Sequence, residues 1–227
     1  MKKSFYILTI LLSFNCFSQP AEFKAPDYEQ IKTDIADRSS NFFYDTLLKR
    51  LKEKDTSLTA DDHLHLYYGY AFRKEYNSFY RFKDEEKLMK YYRMDKLDPK
   101  DYDDIIKLCE KGLNDFPFDL KIMNFLSYVY RAKGDEALYK KTSKIFEGIV
   151  DAIISSGDGK SCETGFHVLM IGHEYTLLGL FNLEVSGQSL VGKCDYMKLT
   201  EGKYKMEGVY FNIEKMMENE TKAFGGR

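Results

Sequence analysis

The sequence predicts an α+β fold, in which helical hairpins are followed by a small, mostly antiparallel C-terminal β-sheet. Two observations lead to this prediction. Between residues 41 and 155 apolar side chains recur at helical spacing, in segments separated by capping residues and turns. After Gly159 the pattern changes to short apolar runs and alternation, which are typical of strands joined by turns. Helices and strands that follow one another in separate blocks indicate the α+β class.

The clearest helical hairpin runs from Asp98 to Gly134. Asp98 and Pro99 predict a helix start, because aspartate caps free amides and proline fits the first helical position. Pro117 ends this helix, Asp119 can cap the next one, and Gly134 can adopt the left-handed conformation that stops it. The apolar stripes of the two helices are Tyr102, Ile105, Ile106, Cys109, Leu113 and Phe116, then Ile122, Met123, Leu126, Val129 and Tyr130.

This hairpin resembles a tetratricopeptide repeat, in which small residues allow neighbouring helices to cross closely. The matching positions are Ile105, Cys109, Gly112 and Pro117, then Leu126, Ser127, Tyr130 and Gly134. Ile105 and Cys109 depart from the pattern, since alanine and an aromatic residue are usual there. The resemblance implies a helical-repeat scaffold and does not indicate a ligand.

A first hairpin precedes the central one and is separated from it by an insertion. Its helices are Asn41–Lys54, which has one apolar and one basic face, and a second helix capped by Thr59. The insertion, Lys74–Leu97, contains an aromatic, basic loop and then a charged helix. The predicted organisation is a signal peptide at 1–18, an arm or weak helix at 19–40, a tetratricopeptide-like helical region at 41–159 with the insertion 74–97, and a β-rich region at 160–227 with a closing helix.

The C-terminal region contains several strand candidates. They are Phe166–Ile171, a hairpin that turns at Ser186–Gln188, and the pair Asp195–Leu199 and Gly208–Ile213 around a turn at 201–203. His173–Leu180 is compatible with either a strand or a short helix. Glu214–Ala223 is expected to close the chain as a helix.

The N-terminus predicts export. Lys2 and Lys3 precede a short apolar run and small residues at Cys16 and Ser18, which is the pattern of a secretory signal peptide cleaved near Ser18. The expected location is therefore periplasmic or secreted. A lipid anchor on Cys16 is disfavoured, because Asn15 stands where a small residue normally precedes the lipidated cysteine.

Charge and hydropathy narrow the class of partner. The formal net charge is −2, which gives no overall attraction to nucleic acid. No later apolar run is long enough for a transmembrane segment. A peptide or protein partner is expected instead.

Three cysteines remain after cleavage: Cys109, Cys162 and Cys194. Export permits a disulfide, and Cys162 and Cys194 are the candidates for it. The odd number of cysteines favours three reduced thiols over this pair. Cys109 is expected to be a thiol in the helical core.

Several short motifs occur together with the export signal and the repeat-like middle. They are Tyr67–Phe72, His173–Tyr175, Gly187–Leu190, Cys194–Tyr196 and Tyr210–Ile213. With these motifs, the mature chain resembles an uncharacterised family of exported Bacteroidota proteins, domain of unknown function 4919. The resemblance implies no activity.

The aromatic stretch Tyr67–Phe82 holds the candidate ligand-binding residues. Tyr76, Phe79, Tyr80 and Arg81 could line a groove for an extended peptide or a glycan, together with Arg73. The alternative, which we favour for this stretch, is that the first half is core and the rest anchors a long loop. The leading hypothesis is an exported, non-enzymatic binding or scaffold protein that presents its helical-repeat surface to a peptide or protein.

The alternative hypothesis is a small exported hydrolase. His167, His173 and Glu174 are then the only plausible acid–base set. The sequence has no HExxH, CxxC, G-x-S-x-G or phosphate-loop motif, so we predict no catalytic residue, no metal and no cofactor. These three side chains would have to meet in one cleft for this hypothesis to hold.

Overall fold

The structure is a computed structural model that describes residues 23–224, with side chains up to residue 221. The predicted signal peptide and Cys16 lie outside the described residues. Within this range the helices are α1 (Tyr28–Ala36), α2 (Tyr44–Lys52), α3 (Ala60–Gly69), α4 (Glu85–Tyr92), α5 (Tyr102–Asp115), α6 (Leu120–Lys133), α7 (Glu136–Ile154), α8 (Ile171–Leu180) and α9 (Glu214–Phe224). The strands of the same range are β1 (Phe166–His167), β2 (Val185–Val191), β3 (Cys194–Leu199) and β4 (Gly208–Asn212). The described helices include none with the length and hydropathy that crossing a membrane requires.

The helix ends follow the capping residues of the sequence. Thr59 and Asp62 form a reciprocal capping box at the start of α3. Asp119 accepts a hydrogen bond from the Ile122 amide at the start of α6, and Gly134 ends that helix with φ of 86°. α6 therefore has the ends that the sequence predicts. Asp98 caps only a short 3₁₀ turn, Pro99–Asp101, and α5 begins after that turn, at Tyr102.

The helices pack into one continuous layer. α5 packs on α6, α6 on α7 and α7 on α3, while α1 and α2 cover α3. The segment predicted as an arm or weak helix is α1, which buries Ile31 and Ile35 against this layer. The insertion is also anchored, because Phe82, Leu88 and Tyr91 join a second apolar cluster with α5 and α6.

The sheet is mixed, with strand order β1–β4–β3–β2, so the expectation of a mostly antiparallel sheet is wrong. β1 pairs with β4 in parallel, and the other two pairs are antiparallel. The reason is the segment after His167, which forms helix α8 and does not turn back as a hairpin. β1 consequently has no sequential neighbour in the sheet.

Two further local expectations for this region are wrong. Ser186–Gln188 is not a turn but part of β2, and the hairpin turns at Gly192, which has φ of 62°. Gly187 does not have the positive φ that a tight hairpin turn requires. The apolar run from Phe166 is a strand for only two residues.

Cys162 and Cys194 are joined by a disulfide, and Cys109 is a buried free thiol. The structure thus has the pair and not the three reduced thiols that the odd count favoured. The bond fastens the loop after α7 to the first residue of β3, across a separation of 32 residues in sequence.

Replacing both Cys162 and Cys194 with serine is expected to lower the free energy of unfolding by about 3 kcal/mol, because the unfolded chain then gains loop entropy. Urea denaturation of the oxidised protein measures this loss. Adding a reductant should destabilise the wild type to a similar extent and leave the double variant unchanged. Equal stability of the two proteins under oxidising conditions would contradict the prediction.

Candidate functional site

A groove of about 1130 Å³ lies between the aromatic loop, α6 and α8. The loop wall is residues 78–82. The α6 wall is formed by Lys121, Asn124, Phe125 and Tyr128, which are spaced as one helical face, and the α8 wall by Ile171, Gly172, Tyr175, Thr176, Gly179 and Leu180. Phe116, Leu120 and His173 are among the other lining residues, and all three are buried.

The aromatic loop is fixed at its base. The Tyr76 hydroxyl donates to the Leu169 carbonyl at 3.0 Å, with the tyrosine ring buried. The Ser78 amide and hydroxyl both donate to the Asn219 side chain on α9, at 3.1 and 3.0 Å. These bonds hold the loop so that Phe79 projects at the groove.

Large apolar side chains are exposed along the rim of the groove. Five large hydrophobic side chains line it while remaining 40–52% exposed: Phe79, Tyr128, Ile171, Tyr175 and Leu180. They come from all three walls. Exposed apolar side chains scattered singly are normal, but a contiguous patch in a concavity marks an interaction site.

The charged groups of the groove are mostly compensated. Lys121 donates to Glu85 at 3.3 Å and lies 4.5 Å from the centre of the Tyr92 ring. Asp119 is used as the cap of α6, and burial raises the pKa of its carboxyl. Arg81 is the exception, because it is exposed and has no ion pair within the described residues.

The structure places three of the four predicted ligand-binding residues, Phe79, Tyr80 and Arg81, in the lining of the groove. Tyr76 is different, since its ring lies in the core and it does not line the groove. Tyr76 is held in the core because its hydroxyl donates a hydrogen bond to the Leu169 carbonyl. Tyr76 is therefore a loop anchor in this structure.

Two hydroxyls at the groove, those of Tyr80 and Tyr92, are enclosed and have no hydrogen-bond partner among the described residues. Burial raises the pKa of Tyr80 to about 12, so it stays protonated and remains a donor at neutral pH. An enclosed donor without an acceptor is unfavourable, and its removal is tolerated.

Tyr92→Phe is accordingly expected to leave the free energy of unfolding unchanged or to raise it slightly. Tyr76→Phe is the matched control, and it should lower that free energy by about 1 kcal/mol because a satisfied buried hydrogen bond is lost. Thermal unfolding of both variants compares them directly. A larger loss for Tyr92→Phe than for Tyr76→Phe would contradict the assignment.

His173 is saturated with internal hydrogen bonds. Its Nε2–H donates to the Phe118 carbonyl at 2.9 Å, so Nδ1 accepts from the Tyr67 hydroxyl at 2.6 Å. The Tyr67 oxygen in turn accepts from the Leu169 amide at 3.1 Å. Burial lowers the pKa of His173 to about 4, so the ring is neutral at pH 7. Neither ring nitrogen has capacity left for a substrate.

Glu174 and His167 lie in other environments. Glu174 is fully buried, and its carboxyl oxygens have no hydrogen-bond partner among the described residues. Burial and the charge of Asp195 raise its pKa to about 9. His167 lies 3.3 Å from the Tyr28 hydroxyl, and burial lowers its pKa to about 4. His167, His173 and Glu174 thus share no hydrogen bond within residues 23–224.

A candidate metal centre is also missing from the described part of the chain, which contains no group of three or more His, Cys, Asp or Glu side chains placed to hold an ion.

Comparison with known families then identifies the chain. A domain of unknown function, DUF4919, matches residues 29–222. The chain belongs to this family. Neither the curated proteins nor the solved structures contain a match to it.

The DUF4919 match extends from α1 into α9, so every wall of the groove lies inside the family domain. The loop wall of the DUF4919 groove was predicted from the sequence, but the walls formed by α6 and α8 were not. The α6 wall left a signal, because Phe125 and Tyr128 lie off the apolar stripe of that helix and had no assigned neighbour. The α8 wall could not be recognised in the sequence, because His173–Leu180 is compatible with either a strand or a helix.

Proposed function

We propose that this DUF4919 protein is an exported, non-enzymatic binding protein that holds an extended peptide in the groove between the aromatic loop, α6 and α8. The observation that carries the proposal is the concentration of exposed apolar side chains there. Five such residues from three separate elements converge on one concavity. Folding alone gives no reason for them to be exposed together.

The dimensions and polar groups of the groove favour a peptide. Its volume of about 1130 Å³ exceeds that of a small-molecule pocket and suits several consecutive residues. Asn124 lies exposed on the α6 wall. Its amide can both donate to a carbonyl and accept from an amide of an extended backbone. The aromatic walls then receive the side chains of the peptide.

The proposed function includes a tetratricopeptide-like scaffold and export of the protein from the cell. We infer that α5 and α6 act as a tetratricopeptide-like hairpin whose outer face forms one wall of the groove. Export of the chain, as expected from its N-terminus, is supported by the disulfide between Cys162 and Cys194, since such bonds persist in oxidising compartments.

The hydrolase alternative has less support. Its acid–base set is divided among three environments, with His173 bonded to Tyr67 and Phe118, His167 near Tyr28, and Glu174 next to Asp195. A catalytic acid and base must both reach one substrate. His173 alone of the three lines the groove, and both of its ring nitrogens are occupied.

Selection from a displayed library of random peptides tests the proposal. Peptides enriched on the wild type are expected to be retained by Leu190→Ala, which removes an exposed apolar side chain on β2, and lost by a Tyr128→Ala/Tyr175→Ala double variant. Recovery of the same peptides on the double variant would contradict the proposal. So would the absence of any enriched peptide, most clearly if the protein bound oligosaccharides instead.

A further inference from the structure

The charged side chains that line the groove indicate the chemical class of its ligand. This inference rests on the proposed function. Four formally charged side chains line it: Arg81, Glu85, Asp119 and Lys121. Glu85 and Lys121 neutralise each other at 3.3 Å. Asp119 is directed at the first turn of α6, where its carboxyl accepts from the Ile122 amide at 3.0 Å.

Arg81 remains as the uncompensated charge. It lies two residues after Phe79 on the loop wall and is exposed. The described residues provide it with no ion pair, no hydrogen bond and no ring contact, although exposed carboxylates are frequent on this chain. An exposed guanidinium without a partner is suited to a bidentate contact with a carboxylate.

The hydroxyls of Tyr80 and Tyr92 do not add to this charge. Both residues line the groove, but their hydroxyl oxygens are enclosed and out of reach of a ligand. The Arg81 guanidinium is therefore the accessible charged donor of the lining that has no partner among the described residues. A ligand with carboxylate oxygens complements it.

We propose that the groove recognises an acidic–apolar peptide, in which an Asp or Glu side chain or a C-terminal carboxylate pairs with Arg81 while neighbouring aromatic or aliphatic side chains pack on Phe79, Tyr128 and Tyr175. Apolar packing supplies most of the affinity, and the Arg81 pair fixes the register and selects against basic peptides. Basic peptides would place a like charge beside Arg81.

The peptides enriched on the full mature chain provide the probe. We expect them to contain more Asp and Glu than the unselected library. The tightest is synthesised with its acidic residues intact and, separately, changed to Asn or Gln. Fluorescence anisotropy should show a Kd about tenfold weaker or more for the amide peptide, since hydrogen bonds to charged groups are among the stronger ones.

Arg81→Glu should weaken binding of the acidic peptide by at least the same factor of about ten. Lys83→Glu is the matched control, because Lys83 is exposed, undergoes the same change of charge and does not line the groove. It is expected to change the Kd clearly less than Arg81→Glu does, because Lys83 cannot make a direct contact with a ligand in the groove. Arg81 is a surface residue, so circular dichroism should show the same fold in both variants.

The outcomes separate the two proposals. If the enriched peptides lack acidic residues, or bind Arg81→Glu as well as the wild type, and yet are lost on the Tyr128→Ala/Tyr175→Ala variant, the acidic ligand class is wrong and the binding groove stands. If binding is insensitive to Tyr128 and Tyr175, both proposals are wrong.

Discussion

Glu174→Gln is expected to remove most of the loss of stability that this protein suffers as pH rises above neutrality. Glu174 is fully buried on α8 next to Asp195 of β3, and neither of its carboxyl oxygens has a partner among the described residues. Asp195 accepts a hydrogen bond from the Gln188 amide at 3.0 Å. Burial, and then the charge of Asp195, raise the pKa of Glu174 to about 9 from an ordinary value of 4.5.

The direction follows from proton linkage. Below pH 4.5 Glu174 is protonated in the folded and unfolded states alike. Between pH 4.5 and about 9 the unfolded chain releases this proton while the folded protein retains it. The free energy of unfolding then falls by up to about 1.4 kcal/mol per pH unit. Glutamine holds no such proton, so the variant should be the more stable protein at pH 8, by at most about 5 kcal/mol.

Urea denaturation across this pH range measures the difference. The loss of stability below pH 6.5 serves as an internal reference that Glu174→Gln should not change. It arises from His167 and His173, whose pKa values are lowered to about 4. Their contribution is present above pH 6.5 and is lost as pH falls towards 4, in the wild type and the variant alike. Glu201→Gln, an exposed carboxylate in a turn, is the matched control and should not alter the curve. Parallel curves for Glu174→Gln and the wild type would show that Glu174 is ionised in the folded protein.

Tyr128→Ala and Tyr175→Ala are each expected to weaken peptide binding by about 2 kcal/mol, which is roughly thirtyfold in Kd. The two rings lie on opposite walls of the groove, on α6 and α8, and both are about half exposed. Their loss removes the apolar surface that an extended ligand would cover. Because they contribute little to the core, the free energy of unfolding should change by only about 0.5 kcal/mol.

Isothermal titration with an enriched peptide provides the measurement. Tyr175→Phe separates the ring from its hydroxyl, which donates to Gln188 at 3.2 Å. The phenylalanine variant should bind nearly as the wild type does, since it keeps the stacking surface. Leu190→Ala, at 61% exposure on β2, is the control for removal of an exposed apolar side chain. A weaker Kd for Leu190→Ala than for Tyr128→Ala would place the interaction elsewhere.

The helices were predictable because their signals are local. Asp119 and Gly134 fix the two ends of α6 through contacts within a few residues, and the apolar stripe between them follows the helical period. The sheet was not predictable in the same way. Whether β1 pairs in parallel depends on where α8 takes the chain, and the apolar residues of α8 do not follow a clear helical period that would distinguish it from a strand.

The candidate site was predictable in part for the same reason. An aromatic, basic loop is visible in sequence, so Phe79, Tyr80 and Arg81 could be named. Tyr76 could not be separated from them, because its burial depends on the Leu169 carbonyl 93 residues away in sequence. The facing wall from α8 required the tertiary structure.

Backbone amide shift mapping tests whether the groove is the peptide-binding site. A ¹⁵N-labelled protein that comprises residues 19–227 is titrated with an enriched peptide, and the shift of each amide is followed. Peptide binding in the groove should give saturable shifts that cluster in residues 78–82, on the outward face of α6 and along α8. These shifts should disappear in the Tyr128→Ala/Tyr175→Ala variant. Shifts centred on β2 or α2, with these three segments unmoved, would contradict binding in the groove.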